Sequence, residues 1–376
     1  MTVRLTSVRQ ERALLVQVVV GRSGREVAAD SLEELERLAD TAGAVVVGTL
    51  SQNREAPHPK YFIGSGKIDE VKVVCQKTGA NLVIFDNNLS PVQVNNLDMA
   101  LGVKVIDRTE VILQIFARRA RSAEAQIQVE LAQLQYLVSR LPVSEKQARF
   151  TGGIGMKGPG ESPLKLRNAP IRARIRDLQG KLEAIQERRH RTRARRPWPT
   201  VSLVGYTNAG KSTLLNSLAE AGAYVDDRLF ATLDTKSRLI HLPDMRQVLV
   251  TDTVGFIRNL PHGLIASFRS TLEEVGQSDL LLHVADAGHP YVTEHCEVVF
   301  DTLREIGADQ VPALLVFNKC DRPEAQAALP GLLRHFPEAL AISALAQEGL
   351  AQLRQRLSET VPRTGPSDFQ HAVRRG

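Results

Sequence analysis

The stretch "VSLVGYTNAGKST" (201–213) sets Gly205, Gly210, Lys211, Ser212 and Thr213 in the spacing G-x-x-x-x-G-K-S-T, with Tyr206, Thr207, Asn208 and Ala209 between the glycines. An apolar run precedes it and the helix-like "TLLNSLAEAG" follows, the setting in which such a loop holds a nucleoside triphosphate. Glycines let backbone amides wrap the phosphates, Lys211 reaches the β- and γ-oxygens, and the Ser212 hydroxyl is a magnesium ligand.

A second cluster addresses the base. "LLVFNKCD" (314–321) ends an apolar strand on Asn318, Lys319, Cys320 and Asp321. The Asp321 carboxylate can accept hydrogen bonds from N1–H and the N2 amino group of guanine, a pairing adenine does not offer. Asn318 is expected to tie this loop to the phosphate loop, and the Lys319 stem to cover one face of the ring. "LAISAL" (340–345) ends another strand and brings Ser343, Ala344 and Leu345, with the Ala344 amide expected to donate to guanine O6. The implied ligand is GTP (and its product GDP) rather than ATP.

Two segments between these are candidates for switches. In "LFATLD" (229–234), with Phe230, Ala231, Leu233 and Asp234 around it, Thr232 would complete the magnesium shell when the γ-phosphate is present. Asp252 closes "VLVTD" and would hold a magnesium-bound water; Thr253, Val254 and Gly255 follow, with the Gly255 amide directed at the γ-phosphate. Loss of that phosphate would release both loops. The residues expected to carry catalysis are Lys211, Thr232, Gly255 and Asn208. Phe256 stands where a polar side chain would orient water, so either nothing is hydrolysed or another group positions the water.

These loops need a scaffold. At 376 residues the chain exceeds the size at which one core stops growing, so two or three domains are expected. Residues 1–121 alternate apolar runs ("LLVQVVV", "AVVVGTL", "NLVIFD", "VKVID") with amphipathic stretches, which implies a small α/β domain with a parallel sheet of about four strands. Within it "YFIGSGK" (61–67) reads as a tight turn before a helix beginning near Lys67.

From 122 to 197 the period changes. Ile127, Leu131, Leu134, Val138 and Leu141, and then Ile171, Ile175, Leu178, Leu182 and Ile185, are spaced as the seams of an antiparallel helical hairpin. Between them "TGGIGMKGPGE" (151–161) has five glycines and a proline in eleven residues, which cannot remain helical and would form the tip loop. Strand and helix alternate again over 198–362, the nucleotide-binding domain of Ras-like α/β type, and 363–376 reads as a loose tail.

The net charge of +6 is unevenly placed. Leu164–Arg196 holds twelve Lys/Arg against three Asp/Glu, a local +9, so the remainder is net acidic. A helix this basic attracts a phosphate backbone or is a solvated face. Cys75, Cys296 and Cys320 are widely separated, which suggests neither a disulfide framework nor a zinc site. No apolar stretch approaches the roughly 18–20 residues that span a bilayer, and the N-terminus has no secretory h-region.

Together "YFIGSGK", "NLSP" (88–91), "VIDRTEVILQIFARRA" (105–120), "QVELAQL" (128–134), "GGIGMKGPGE", "GYTNAGKST", "LFATLD" and "DTVGFI" resemble, in order, the blocks of the HflX family of ribosome-associated GTPases. The resemblance implies that the N-terminal domain and hairpin enter the large ribosomal subunit, coupled to a GTPase that splits stalled or idle ribosomes with Mg2+. It also implies slow hydrolysis alone, with the ribosome completing the site and potassium beside Asn208 as an addition. Members are reported to hydrolyse ATP through the N-terminal domain, but this sequence has no second phosphate loop. The chain departs from the family at "SPLKLRNAP" (162–170), whose prolines should delay the second helix to about Pro170.

A cytoplasmic monomer is expected, with peripheral membrane association as a variant. The alternatives are a large-subunit assembly GTPase, a small-molecule kinase with a phosphate loop, and a binding module that uses GTP only for shape.

Overall fold

The structure is a computed structural model that describes residues 11–21, 25–140, 163–193, 198–219, 229–230, 232–258 and 275–362. The chain forms two compact units, 1–118 with 129–179 and 119–128 with 180–376. Ala231, the glycine-rich tip (151–161) and the tail (363–376) lie outside the described residues.

In the first unit β1 (Arg12–Val20), β2 (Val45–Arg54), β3 (Leu82–Phe85) and β4 (Lys104–Asp107) form a sheet in the order β2-β1-β3-β4, parallel throughout. This is the expected sheet, and its central strands are near-continuous Val, Leu and Ile because helices cover them. The crossovers are α1 (Arg25–Thr41), α2 (Ser65–Thr78) and α3 (Pro91–Leu101). α1 buries Leu35, Leu38 and Ala39 at helical spacing. α3 starts at a capping box, Ser90 and Gln93 each satisfying the other's backbone amide, with Pro91 in its first turn. In the "YFIGSGK" segment the turn ends at Gly64, whose amide donates to Gln52 Oε1 at 3.0 Å, and α2 begins at Ser65. Leu14, Val16, Ile63, Val71, Phe85 and Leu97 share the core.

The sequence gives no warning that Arg108, at the start of α4 (Arg108–Arg119), is fully buried. It pairs with Asp86 at 2.6 Å and with Glu34, and Asp86 also accepts from Gln17 and Ser31. A buried guanidinium is tolerable only with such partners.

Two long helices follow, α5 (Ala123–Arg140) and α6 (Pro163–Arg193), and each is divided between the units. Leu141 lies outside the described residues; on α6 every seam residue named above is buried or half-buried, while nearly every other side chain described is exposed. On α5 the buried positions are Ala125, Gln128, Val129, Leu131 and Ala132, so Ile127, Leu134 and Val138 are only half-buried. The buried face of α5 is broader than a two-position seam and is rotated from it.

α6 also corrects an expectation. It begins at Pro163, not near Pro170, and Pro170 lies inside it. Proline is well placed in a first turn, and one interior proline removes a single donor from a helix of 31 residues. Within the first unit Arg174 grips Glu130 with two hydrogen bonds, at 2.7 and 2.9 Å, tying α6 to α5.

The second unit contains β5 (Thr200–Val204), β6 (Lys236–His241), β7 (Gln247–Asp252), β8 (Leu280–Asp286), β9 (Ala313–Asn318) and β10 (Leu340–Ala341). Their order is β10-β9-β8-β5-β7-β6, parallel except for the β6–β7 edge pair. Besides its parts of α5 and α6, the helices among this unit's described residues are α7 (Lys211–Leu218), α8 (Val292–Glu305), α9 (Pro323–His335) and α10 (Leu350–Thr360). Val201, Leu203, Val250, Leu282, Val284 and Val316 fill the core along the strands. The loops after β5, β7, β9 and β10 leave the carboxyl edge of the sheet, where open α/β sheets bind ligands.

Candidate functional site

The phosphate loop connects β5 to α7, and two of its glycines are required sterically. At Gly205 (φ 150°) a Cβ would lie 2.1 Å from the Val284 carbonyl oxygen on neighbouring β8. At Gly210 (φ 93°) it would lie 2.2 Å from Asn318 Nδ2. Asn208 also has a left-handed backbone (φ 62°), which asparagine tolerates better than most residues. The loop is pinned to the segment after β7: Thr207 N donates to the Phe256 carbonyl at 2.7 Å, and Phe256 N to the Gly205 carbonyl at 3.1 Å.

Lys211 is buried within this loop, its Nζ donating to the carbonyls of Gly205 (3.0 Å) and Tyr206 (2.9 Å). Burial pushes its pKa down to about 8; nearby Asp252 opposes that shift and Lys319 adds to it. Two carbonyls are weak compensation for a buried ammonium, so an incoming phosphate is the stronger partner.

Three oxygen side chains meet beside Lys211. Ser212 Oγ is 2.6 Å and Thr232 Oγ1 2.8 Å from Asp252 Oδ2, and the two hydroxyls are 2.8 Å apart. Asp252 is fully buried, and its Oδ1 has no hydrogen-bond partner. An unpaired carboxylate oxygen beside two hydroxyls, all hard donors, fits a divalent cation of the magnesium type. Gly255 belongs here as well: a Cβ would come within 2.9 Å of both Lys211 Nζ and Thr207 Cα, so only glycine fits at this part of the cavity wall.

The cavity, of about 270 Å³, is lined at this end by Thr207, Asn208, Gly210, Lys211, Ser212, Thr213, Phe230, Thr232, Thr253 and Gly255, and at the other by Asn318, Lys319, Asp321, Arg322, Ser343 and Leu345. Asn318 is the rivet between loops. Its Nδ2 donates to the Ala209 carbonyl and its Oδ1 accepts from Ala344 N, both at 2.9 Å. The expected tie to the phosphate loop is present. The Ala344 amide donates to Asn318 Oδ1, a buried acceptor that needs a donor. Ser343, fully buried, and Leu345, largely exposed, are the residues of that stretch at the cavity wall.

Several other expected residues support the cavity from behind. The Tyr206 ring stacks on His295 at 3.7 Å, and its hydroxyl accepts from Arg258 N. Leu233 and Val254 are buried, and the Cys320 thiol donates to the Phe317 carbonyl. Asp234 also does not line the cavity; its carboxylate accepts from Arg121 N and Ser122 N. Phe256 is buried in an apolar cluster with Val204, Leu281, Val299 and Leu303. Its apolar side chain suits this core position.

Sequence reasoning missed Asp286. At the end of β8 it accepts from Lys319 Nζ at 2.7 Å, while the same Nζ donates to the Asn208 carbonyl at 2.8 Å. The available signal was a carboxylate at the carboxyl end of a buried parallel strand, "LLHVAD".

Comparison with known proteins identifies this arrangement. Three family profiles match consecutively: "GTP-binding GTPase N-terminal" over 29–117, "GTP-binding GTPase Middle Region" over 119–196 and "50S ribosome-binding GTPase" over 200–319. The GTPase HflX of Caldanaerobacter subterraneus subsp. tengcongensis is 48% identical over 316 residues, covering 83% of this chain and 73% of that one. The chain belongs to the HflX family of GTPases. The GTPase HflX of Escherichia coli K12 is 45% identical over 350 residues, covering 92% and 82% of the two chains. A solved structure described as an SsGBP and GDP complex covers 94% of this chain and 98% of its own, at 26% identity and a TM-score of 0.50. As an HflX-family member with the loop geometry above, the chain is a GTP hydrolase.

Proposed function

We propose that this HflX-family GTPase binds the large ribosomal subunit and dissociates stalled or idle ribosomes, working as a cytoplasmic monomer. The observation that carries the reading is the face of α6. Arg172, Arg176, Lys181, Arg188 and Arg191 are all exposed on a helix whose described buried positions form a narrow apolar stripe, a surface suited to the RNA phosphate backbone. The matched description "50S ribosome-binding GTPase" agrees with that partner. The hairpin, taken as a domain of its own over 122–197, is the probing element.

At the nucleotide, Lys211 exchanges its two carbonyl partners for β- and γ-phosphate oxygens, and the Gly255 amide contacts the γ-phosphate. Asp321 and the Lys319 stem select and cover guanine. Ser212 and Thr232 directly, and Asp252 through a water, would hold magnesium, which supplies charge neutralisation between the phosphates. With Phe256 in the core, placing the attacking water falls to the ribosome, with potassium beside Asn208 as an aid. Activating partners are worth about 10³–10⁵ in rate elsewhere.

The test is GTP turnover by the full chain in potassium buffer, with and without large ribosomal subunits, alongside Lys211→Ala. Large stimulation that disappears in the variant is expected. Tight GTP binding with no stimulation by subunits would overturn the assignment.

A further inference from the structure

Asp234 was expected at the nucleotide and is instead bonded to the start of the hairpin. Its carboxylate accepts from Arg121 N at 3.0 Å, from Ser122 N at 3.2 Å and from the Ser122 hydroxyl. Ser122 is in turn the cap of α5: its Oγ accepts from Ala125 N at 3.1 Å and its carbonyl from Gln126 N at 3.0 Å. The anion at a helix N-terminus also meets the positive end of the helix dipole. Only Leu233, a buried residue, separates Asp234 from Thr232.

We infer that Asp234 is a positioning residue for Thr232, anchoring the GTP-sensing segment to the first turn of α5 so that nucleotide state and the hairpin helix are coupled. The inference rests on the reading of Thr232 as a ligand of the magnesium–GTP state. The physical argument is one of tether length. A segment held at Asp234 and packed at Leu233 leaves Thr232 little freedom, so its hydroxyl is prepaid in entropy for the position beside Ser212 and Asp252. When the γ-phosphate leaves and Thr232 lets go, the strain or slack reaches the α5 cap through one residue. α5 continues past Gln128 into the other unit, so its first turn belongs to the GTPase while its remainder does not. Linkage is reciprocal: a partner bound to the first turn of α5 changes GTP affinity by the same factor by which GTP changes the affinity for that partner.

The test uses the full chain and two probes, fluorescent GDP and a fluorescent non-hydrolysable GTP analogue, titrated at low and high Mg2+, together with hydrogen exchange of the 123–128 amides. In the wild type these amides exchange more slowly with the analogue and Mg2+ than with GDP. In Asp234→Ala that difference disappears, and analogue affinity falls about tenfold, within the usual range of such couplings. Asp234→Asn, which keeps the shape, falls between. GDP affinity serves as the control for an intact fold. Ser122→Ala should reduce the discrimination too, and by no further amount when combined with Asp234→Ala.

Equal exchange with both nucleotides in the wild type overturns the coupling, as does full analogue discrimination in Asp234→Ala. Thr232→Ala separates the two layers. If it leaves the Mg2+ dependence of the analogue unchanged, the magnesium reading has failed and the coupling with it. If it removes that dependence while Asp234→Ala does not, the reading stands and the anchor is overturned.

Discussion

Lys211 carries two consequences of its burial that can be separated by pH. Its folded-state pKa of about 8 lies below the ordinary value of 10.5, so between these values the unfolded chain binds more protons than the folded one. Stability from this group therefore rises as pH increases through that window, opposite to a lysine that gains a partner on folding. Nucleotide affinity runs the other way: phosphates need the ammonium, so GDP binding should weaken progressively as pH climbs past about 8. Calorimetric binding and thermal melts over the same pH series check both slopes. Asp286 gives a second expectation at this scale. Its ion pair with Lys319 is largely shielded, with both side chains less than one-fifth exposed. A hydrogen bond to a charged group is worth about 1.5–3 kcal/mol, so Asp286→Ala should weaken GDP binding about tenfold or more in equilibrium titration. Unchanged affinity would mean that the Asn208 carbonyl suffices to hold Lys319.

The elements show which parts of the site were legible in sequence. The glycine, lysine and serine of the phosphate loop, and the Asn318–Asp321 run, could be read because their chemistry is local: each must follow a buried strand, and each spacing admits few other uses. Phe256, Ala344 and Asp234 could not be placed, because side-chain or amide direction at a strand end depends on partners remote in sequence. Asn318 claims the Ala344 amide, the α8 side places Phe256 in the core, and the α5 cap claims Asp234. The start of α6 was misjudged because the proline rule weighs a local cost against nothing, whereas a seam of five apolar residues competes with it. That competition is measurable. An interior proline costs about 3 kcal/mol in a helix, so Pro170→Ala should slow amide exchange in the first turns of α6 and leave GDP affinity unchanged. Unaltered exchange would mean that the helix there already accommodates the ring without loss.

For the molecule as a whole, charge placement decides how a target is recognised. Residues 164–196 carry a local charge of +9 and the rest of the chain is net acidic, so under the proposed reading attraction to a polyanion acts through the segment that contains α6. Not every arginine on that helix is equal. Arg174 is committed to Glu130 and Asp177, so removing it costs an internal tie. Arg172 and Arg176 are exposed one turn apart, and Arg176→Gln with Arg172→Gln should remove charge from the face while sparing that tie. Each phosphate contact contributes about 0.7–0.9 to the slope of log affinity against log salt. Large-subunit binding by the double variant should therefore show a slope shallower by about 1.5, and affinities that converge with wild type at high salt. Arg174→Gln should instead lower thermal stability and change the slope less. If both variants lost affinity equally at every salt concentration, α6 would be supporting the fold of the arm without touching phosphate, and the ribosome contact would have to lie on another face.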